Sequence, residues 1–141
     1  MDDAGLQRKI NVIESACSRV GEVEPFEALR ELGGSELVAI AGAALEARRA
    51  SIPVVLDGFV VTAAVAALSV TSRDALEHCI AGHCSSEPGH RLLLEKLGMR
   101  ALIDLDLHLG EGSGALAAVP LIKLAAAAVT DVATFGEWGL E

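Results

Sequence analysis

Tyrosine is absent from this sequence, and its rings amount to three phenylalanines and one tryptophan. The core must therefore be built from Ala, Val, Leu and Ile, which fill space by close packing rather than ring stacking. Cationic residues are scarce: 11 Lys and Arg stand against 20 Asp and Glu, a net charge of −9. A sequence-independent grip on nucleic acid needs many Lys and Arg, so that partner class is not expected. Long apolar runs are scarce too. The longest candidate, Phe59 to Val70, follows a turn and falls short of the roughly 18 residues that span a bilayer, so no membrane partner is expected. Met1-Asp2-Asp3 lacks the basic start of a signal peptide. Three cysteines, an odd number without framework spacing, point to a reducing cytoplasm. Against these absences, 52% of the 141 residues are hydrophobic and mean hydropathy is +0.46. Apolar content this high offsets the entropy of ordering the chain, and the length fits a single domain, 1–141.

Hydrophobic periodicity gives alternating helix and strand. Asp2 or Asp3 caps a first helix whose face carries Leu6, Ile10, Ile13 and Cys17, ending at Gly21. Phe26 to Leu32 forms a short helix stopped by Gly33-Gly34. A third helix starts near Ser35 with the stripe Leu37, Ile40, Ala41, Ala44 and Leu45. Ile52 to Leu56 is a continuous apolar run, the mark of a strand buried on both faces of a parallel sheet. Asp57-Gly58 closes it, and Val60 to Leu68 is a helix apolar on all sides, hence buried. His78 to Cys84 makes a second strand. Pro88 and Gly98 bracket the next helix. Ala101 to Leu107 makes a third strand, and Ala115 to Val129 a long Ala-rich helix that Pro120 should bend. The sum is an α/β fold in three layers, a mostly parallel sheet flanked by helices. Ligands of such folds bind at the carboxyl ends of the strands. The chemistry is therefore expected in three loops: Asp57-Gly58, His83 to Gly89, and Gly110 to Gly114.

Gly110-Glu111-Gly112-Ser113-Gly114 links a strand to a helix, where glycines allow close approach and helix amides favour anions. Its Gly-x-Gly-x-Gly spacing is not a dinucleotide fingerprint. Two readings of Glu111 stand: a functional carboxylate, or a first-turn acid complementing the helix dipole. In the second loop, His78, Cys79, His83, Cys84 and His90 match no zinc spacing, so no metal is expected. The plainer reading packs Cys79 as a small hydrophobe and uses Ser86 as a helix cap. Asp57 either binds a ligand group or caps the next helix.

Together these residues resemble one family. Gly5-Leu6-Gln7-Arg8-Lys9, Pro53 to Ala64, His83 to His90, Leu105 to Ala115 and Ala133-Thr134-Phe135 are similar, in order, to segments of the nicotinate-nucleotide–dimethylbenzimidazole phosphoribosyltransferases. Several motifs in register are far more specific than any one. The resemblance implies a partial Rossmann-like domain and a glycosyltransferase of cobalamin lower-ligand biosynthesis, with no cofactor. Such an enzyme moves phosphoribose from nicotinate mononucleotide to 5,6-dimethylbenzimidazole. It places Glu111 where the family has its general base. The resemblance also implies that Lys9 acts near the nucleotide phosphate and that Gly58 and Ser85 are phosphate or nucleotide contacts. It further implies that Leu109 lines the benzimidazole pocket and that Gly110 and Gly112 bind substrate.

The resemblance covers only the C-terminal part of the family, and the upstream Glu-x-Gly-x-Gly-Asn-Thr segment has no counterpart here. The resemblance implies a homodimer; a complex with a separate N-terminal portion is the other expected assembly, because missing strands leave a sheet edge that invites pairing with another chain. The alternative is a non-catalytic remnant that binds a nucleotide or a partner polypeptide.

Overall fold

The computed structural model describes residues 2–72 and 74–140. Its contacts divide the chain into two compact units, one of Met1–Ile52 with Ala63–His78, the other of Pro53–Thr62 with Cys79–Glu141.

The first unit is helical. Asp2 starts α1 (Asp3–Val20), its carboxylate accepting the Gly5 amide at 2.9 Å, and Gly21 ends the helix at φ +68°. The expected stripe of α1 is not buried: Leu6 is 49% and Ile13 62% exposed, and Gly5 is the buried residue of this helix. An amphipathic stripe is buried only where a neighbour covers it, and the neighbour of α1 in this unit is α2 (Pro25–Leu32), joined to it by Arg19–Glu31 at 3.1 Å. Helix α3 (Gly34–Arg49) packs on α2 and buries Ala41 and Ala44. Helix α4 (Phe59–Ala66) leads into a 3-10 turn, Ala67–Val70, that packs against both α2 and α3. Ala64, Val65, Ala67 and Leu68 are buried, as an all-apolar helix requires, while Phe59 and Val60 at its start are exposed. Arg48 on α3 holds Asp74 by an ion pair, and His78 Nε2 lies 2.8 Å from the Ala44 carbonyl.

The second unit carries the sheet. Strands β1 (Val54–Leu56) and β2 (Cys79–Ala81) pair in parallel with Val54 opposite Cys79 and Leu56 opposite Ala81. The α/β class and the parallel pairing are those expected. The third strand is not: along 101–107 the chain forms one parallel bridge, Ile103 to His83. Amides of Leu102 and Ile103 still donate to Ala81 and Gly82, and the Cys84 amide donates to Ile103. Beyond Ile103 the ladder stops. The Asp104 side chain pairs with Arg91 at 2.8 Å, Leu105 is 71% exposed, and Asp106 turns to φ +53°. A positive φ is incompatible with an extended ladder.

Helix α5 (Pro88–Leu97) buries Leu94 against Ala81 and Cys84, with Met99 and Ala101 packed alongside. Ser86 does not cap it. Glu87 occupies the cap position without a side-chain bond, and the Ser86 amide donates to the Leu107 carbonyl at 3.2 Å. Helix α6 (Ser113–Thr130) continues through Pro120. It also corrects the expectation that nothing here is long and apolar enough to span a bilayer. Its 18 residues have a mean hydropathy of 1.6, with Lys123 as their one charge, and are 11% buried. Length and composition alone do not separate a spanning helix from one whose apolar face meets other protein. Close approach at its start depends on Gly82, where a Cβ would lie 2.8 Å from Ala115 Cα and 3.0 Å from the Leu56 carbonyl.

Candidate functional site

The three loops flagged in the sequence all belong to the second unit, and side chains tie them together. Asp57 follows the last residue of β1 and is 8% exposed. Its Oδ1 accepts the Ala115 amide at 2.8 Å and its Oδ2 the Gly112 amide at 3.2 Å. The first amides of a helix have no partner within it, so this carboxylate satisfies two of them and opposes the positive end of the helix dipole. Asp57 is therefore a cap, but of α6 and not of the next helix in sequence.

No acidic residue lies in the first turn of α6, whose cap position is Gly112. Glu111 stands before the helix, exposed, in left-handed backbone at φ +57° between Gly110 at +78° and Gly112 at +79°. Glycine adopts this region freely, whereas for Glu it costs roughly 1–2 kcal/mol. The dipole is answered by Asp57. Glu111 is left with its carboxylate in solvent, on a turn fixed behind it.

A second chain of bonds links the first two loops. The Ser85 amide donates to His90 Nδ1 at 2.9 Å, and the Ser85 hydroxyl lies 3.0 Å from the same nitrogen. Nδ1 is therefore the bare nitrogen, and Nε2 carries the proton and donates to Thr62 Oγ1 at 3.1 Å. The Thr62 hydroxyl donates in turn to the Gly58 carbonyl at 2.9 Å. His90 is fully buried, and burial lowers its pKa below the usual histidine range. Nearby His83 pushes the same way, and Asp57 opposes. A neutral ring fits a nitrogen that must accept an amide.

His83 is 2% exposed, and among the described residues neither ring nitrogen has a hydrogen-bond partner. Nε2 comes to 3.7 Å from Asp57 Oδ1, an electrostatic approach rather than a bond. The ring stands edge-on to His90, with centroids 6.1 Å apart, and fills the space beside Gly114.

Of the residues expected in the site, Gly58, Ser85, Leu109, Gly110, Glu111 and Gly112 all lie in this second unit. Leu109 is 75% exposed beside the glycine turn. Lys9 belongs to the first unit, exposed on α1, where it lines a depression of about 510 Å³ with Asp2, Gly5, Arg8, Val12 and Ile13. Sequence reasoning missed the Thr62–His90 pair. Its signal was present: Thr62 is the one hydroxyl in an otherwise apolar helix. Cys79 packs as a buried small residue, as expected. Cys84 is buried too, and burial pushes its thiol pKa up, away from nucleophile chemistry. Among the described residues no group of three or more His, Cys, Asp or Glu is placed to hold a metal ion.

An exposed carboxylate on an anchored glycine turn can take a proton from a substrate above it. A family profile described as Phosphoribosyltransferase matches residues 1–140. The chain is 49% identical over 142 aligned positions to the nicotinate-nucleotide–dimethylbenzimidazole phosphoribosyltransferase of Novosphingobium aromaticivorans, covering 99% of this chain and 42% of that protein. The namesake from Methylocella silvestris is 48% identical, with 97% and 41% covered. The crystal structure of the Thermus thermophilus protein of that name superposes with a TM-score of 0.87 at 48% identity, over 99% of this chain and 42% of the other. The chain thus spans about two fifths of the length of the relatives it matches.

Proposed function

This chain belongs to the nicotinate-nucleotide–dimethylbenzimidazole phosphoribosyltransferase family, and from that membership we propose that it carries the C-terminal share of the transferase chemistry. The reaction moves phosphoribose from nicotinate mononucleotide to 5,6-dimethylbenzimidazole, giving α-ribazole 5′-phosphate and nicotinate. On this reading residues 1–141 form part of the family's phosphoribosyltransferase domain and work in the cytoplasm. They act as a homodimer or with a separate N-terminal portion.

One observation carries the proposal: Glu111 is exposed on a left-handed turn between two glycines. A ring nitrogen of dimethylbenzimidazole attacks C1′ from the face opposite nicotinate. The new C1′–N bond forms as the old one breaks, and its electron pair leaves with the nicotinate ring nitrogen. The attacking ring then carries an extra positive charge until its N–H proton departs, and Glu111 is the acceptor. The same negative charge stabilises the positive character that develops on the ribose. Lys9 supplies a point charge for the phosphate. Gly58 and Ser85 contact the nucleotide, while Leu109, Gly110 and Gly112 border the flat base.

In a second reading these residues bind the nucleotide or a partner polypeptide without turnover. Calorimetric titration with nicotinate mononucleotide, followed by an assay for nicotinate release on adding dimethylbenzimidazole, separates the two. The first reading expects release that Glu111→Gln lowers about 10²–10⁴-fold with nucleotide affinity retained. Release at full rate from that variant overturns the assignment of the base. Binding without release from the unaltered chain supports nucleotide binding under the second reading, and absence of both removes the first reading and the nucleotide-binding form of the second.

A further inference from the structure

Asp57 sits at the end of a strand, buried, 55 residues before the turn whose amide it accepts. The Gly112 N–H that reaches its Oδ2 belongs to the peptide unit joining Glu111 to Gly112. Fixing that plane fixes ψ of Glu111, and with it the direction in which the Glu111 side chain leaves the backbone. The second oxygen holds the Ala115 amide, so the turn is gripped together with the first turn of α6. Gly112, at the cap position, has no side chain to do this itself, and no side-chain cap bond is made there. Three consecutive left-handed residues, 110–112, do not hold one conformation unaided.

From these contacts we infer that Asp57 is a positioning residue for Glu111: it sets the turn so that the Glu111 carboxylate is presented in one orientation before substrate arrives. The inference rests on the proposed function, because orientation matters only if Glu111 receives the proton. A negative charge is suited to the task. It accepts from both amides at once, more strongly than a neutral oxygen would. Buried His83 closes the other side of the carboxylate at 3.7 Å, which limits the directions in which Asp57 can swing.

The test uses the purified chain and two readouts. In Asp57→Asn, amide exchange at Gly112 and Ala115 should accelerate at least tenfold. The Gly82 amide, which bonds to the Leu56 carbonyl at 2.8 Å, should keep its protection. Nicotinate release should fall about 10–100-fold in kcat, the scale of a displaced catalytic group, with KM for nicotinate mononucleotide within twofold. In a Glu111→Gln background the same substitution should cost less than twofold in residual rate. A structural role would instead slow both backgrounds equally, and that result overturns the inference. So does unchanged exchange at both loop amides. Should Asp57→Asn fail to fold, Asp57→Ser, which keeps one acceptor, is read by the same criteria. If the unaltered chain releases no nicotinate, it is the functional reading that fails. The exchange data then decide alone whether Asp57 holds the turn.

Discussion

The imidazole of His83 occupies the place where Gly114 would carry a side chain: a Cβ built on Gly114 would stand 2.0 Å from His83 Cδ2. The first turn of α6 lies directly against a buried ring, and glycine is the residue that permits it. Gly114→Ala should therefore destabilise the chain by about 3 kcal/mol or more, the upper range for overpacking, since the ring has no solvent to move into. Urea denaturation measures this. A loss below about 1 kcal/mol would mean that the ring and the helix start are not in contact.

Thr62 and His90 form a buried pair whose loss leaves a donor stranded. Thr62→Val keeps the volume and removes the hydroxyl, so His90 Nε2–H loses its acceptor at a cost of about 1–3 kcal/mol. Thr62→Ser keeps the hydroxyl and gives up only a methyl group, about 1 kcal/mol. Equal stability of the two variants in chemical denaturation would show that the hydroxyl contributes nothing.

Acid should weaken the fold through His90. Its pKa is lowered in the folded chain, chiefly by burial. As pH falls below the ordinary histidine value, the unfolded chain therefore takes up a proton before the folded chain does. Where the unfolded state binds more protons, stability rises with pH. The contribution of His90 is thus fully present above about pH 6.5 and is lost as pH falls toward the folded pKa. Denaturation midpoints between about pH 7.5 and 5.5 should fall in the unaltered chain and fall less steeply in His90→Gln. Parallel slopes would assign the acid sensitivity to other groups.

Glu111 should show opposite effects on stability and on turnover. Glu111→Gly removes the left-handed penalty of roughly 1–2 kcal/mol, while the added freedom of the unfolded chain returns about 0.4–1 kcal/mol of it. The net effect is neutral to about 1.6 kcal/mol stabilising. Nicotinate release should meanwhile drop by about 10²–10⁴-fold, the usual contribution of a general base. A clear loss of stability would place the Glu111 side chain in a structural role.

Much of this arrangement was legible in the sequence because local signals fix local structure. Asp2 and Gly21 bound α1, Pro88 and Gly98 bound α5, and the branched run ending at Leu56 became a strand. The glycine turn was flagged by composition and found left-handed at its first three residues, 110–112. Partners distant in sequence were not legible. Asp57 caps a helix that starts 56 residues later, and Thr62 meets His90 across 28. Nothing in a local window distinguishes a carboxylate that caps the next helix from one that caps a distant one.

By itself, then, the sequence determined the class of fold, the order of the elements and the turn that bears Glu111, since backbone preference and hydrophobic period act within a few residues. Tertiary structure decided which polar groups answer one another: Asp57 with the α6 amides, Thr62 with His90, His83 with Gly114. It also cut the third strand to a single bridge at Ile103. Those outcomes depend on burial, where a polar group must find a partner among whatever the fold brings within about 3 Å, and no reading along the chain specifies that neighbour.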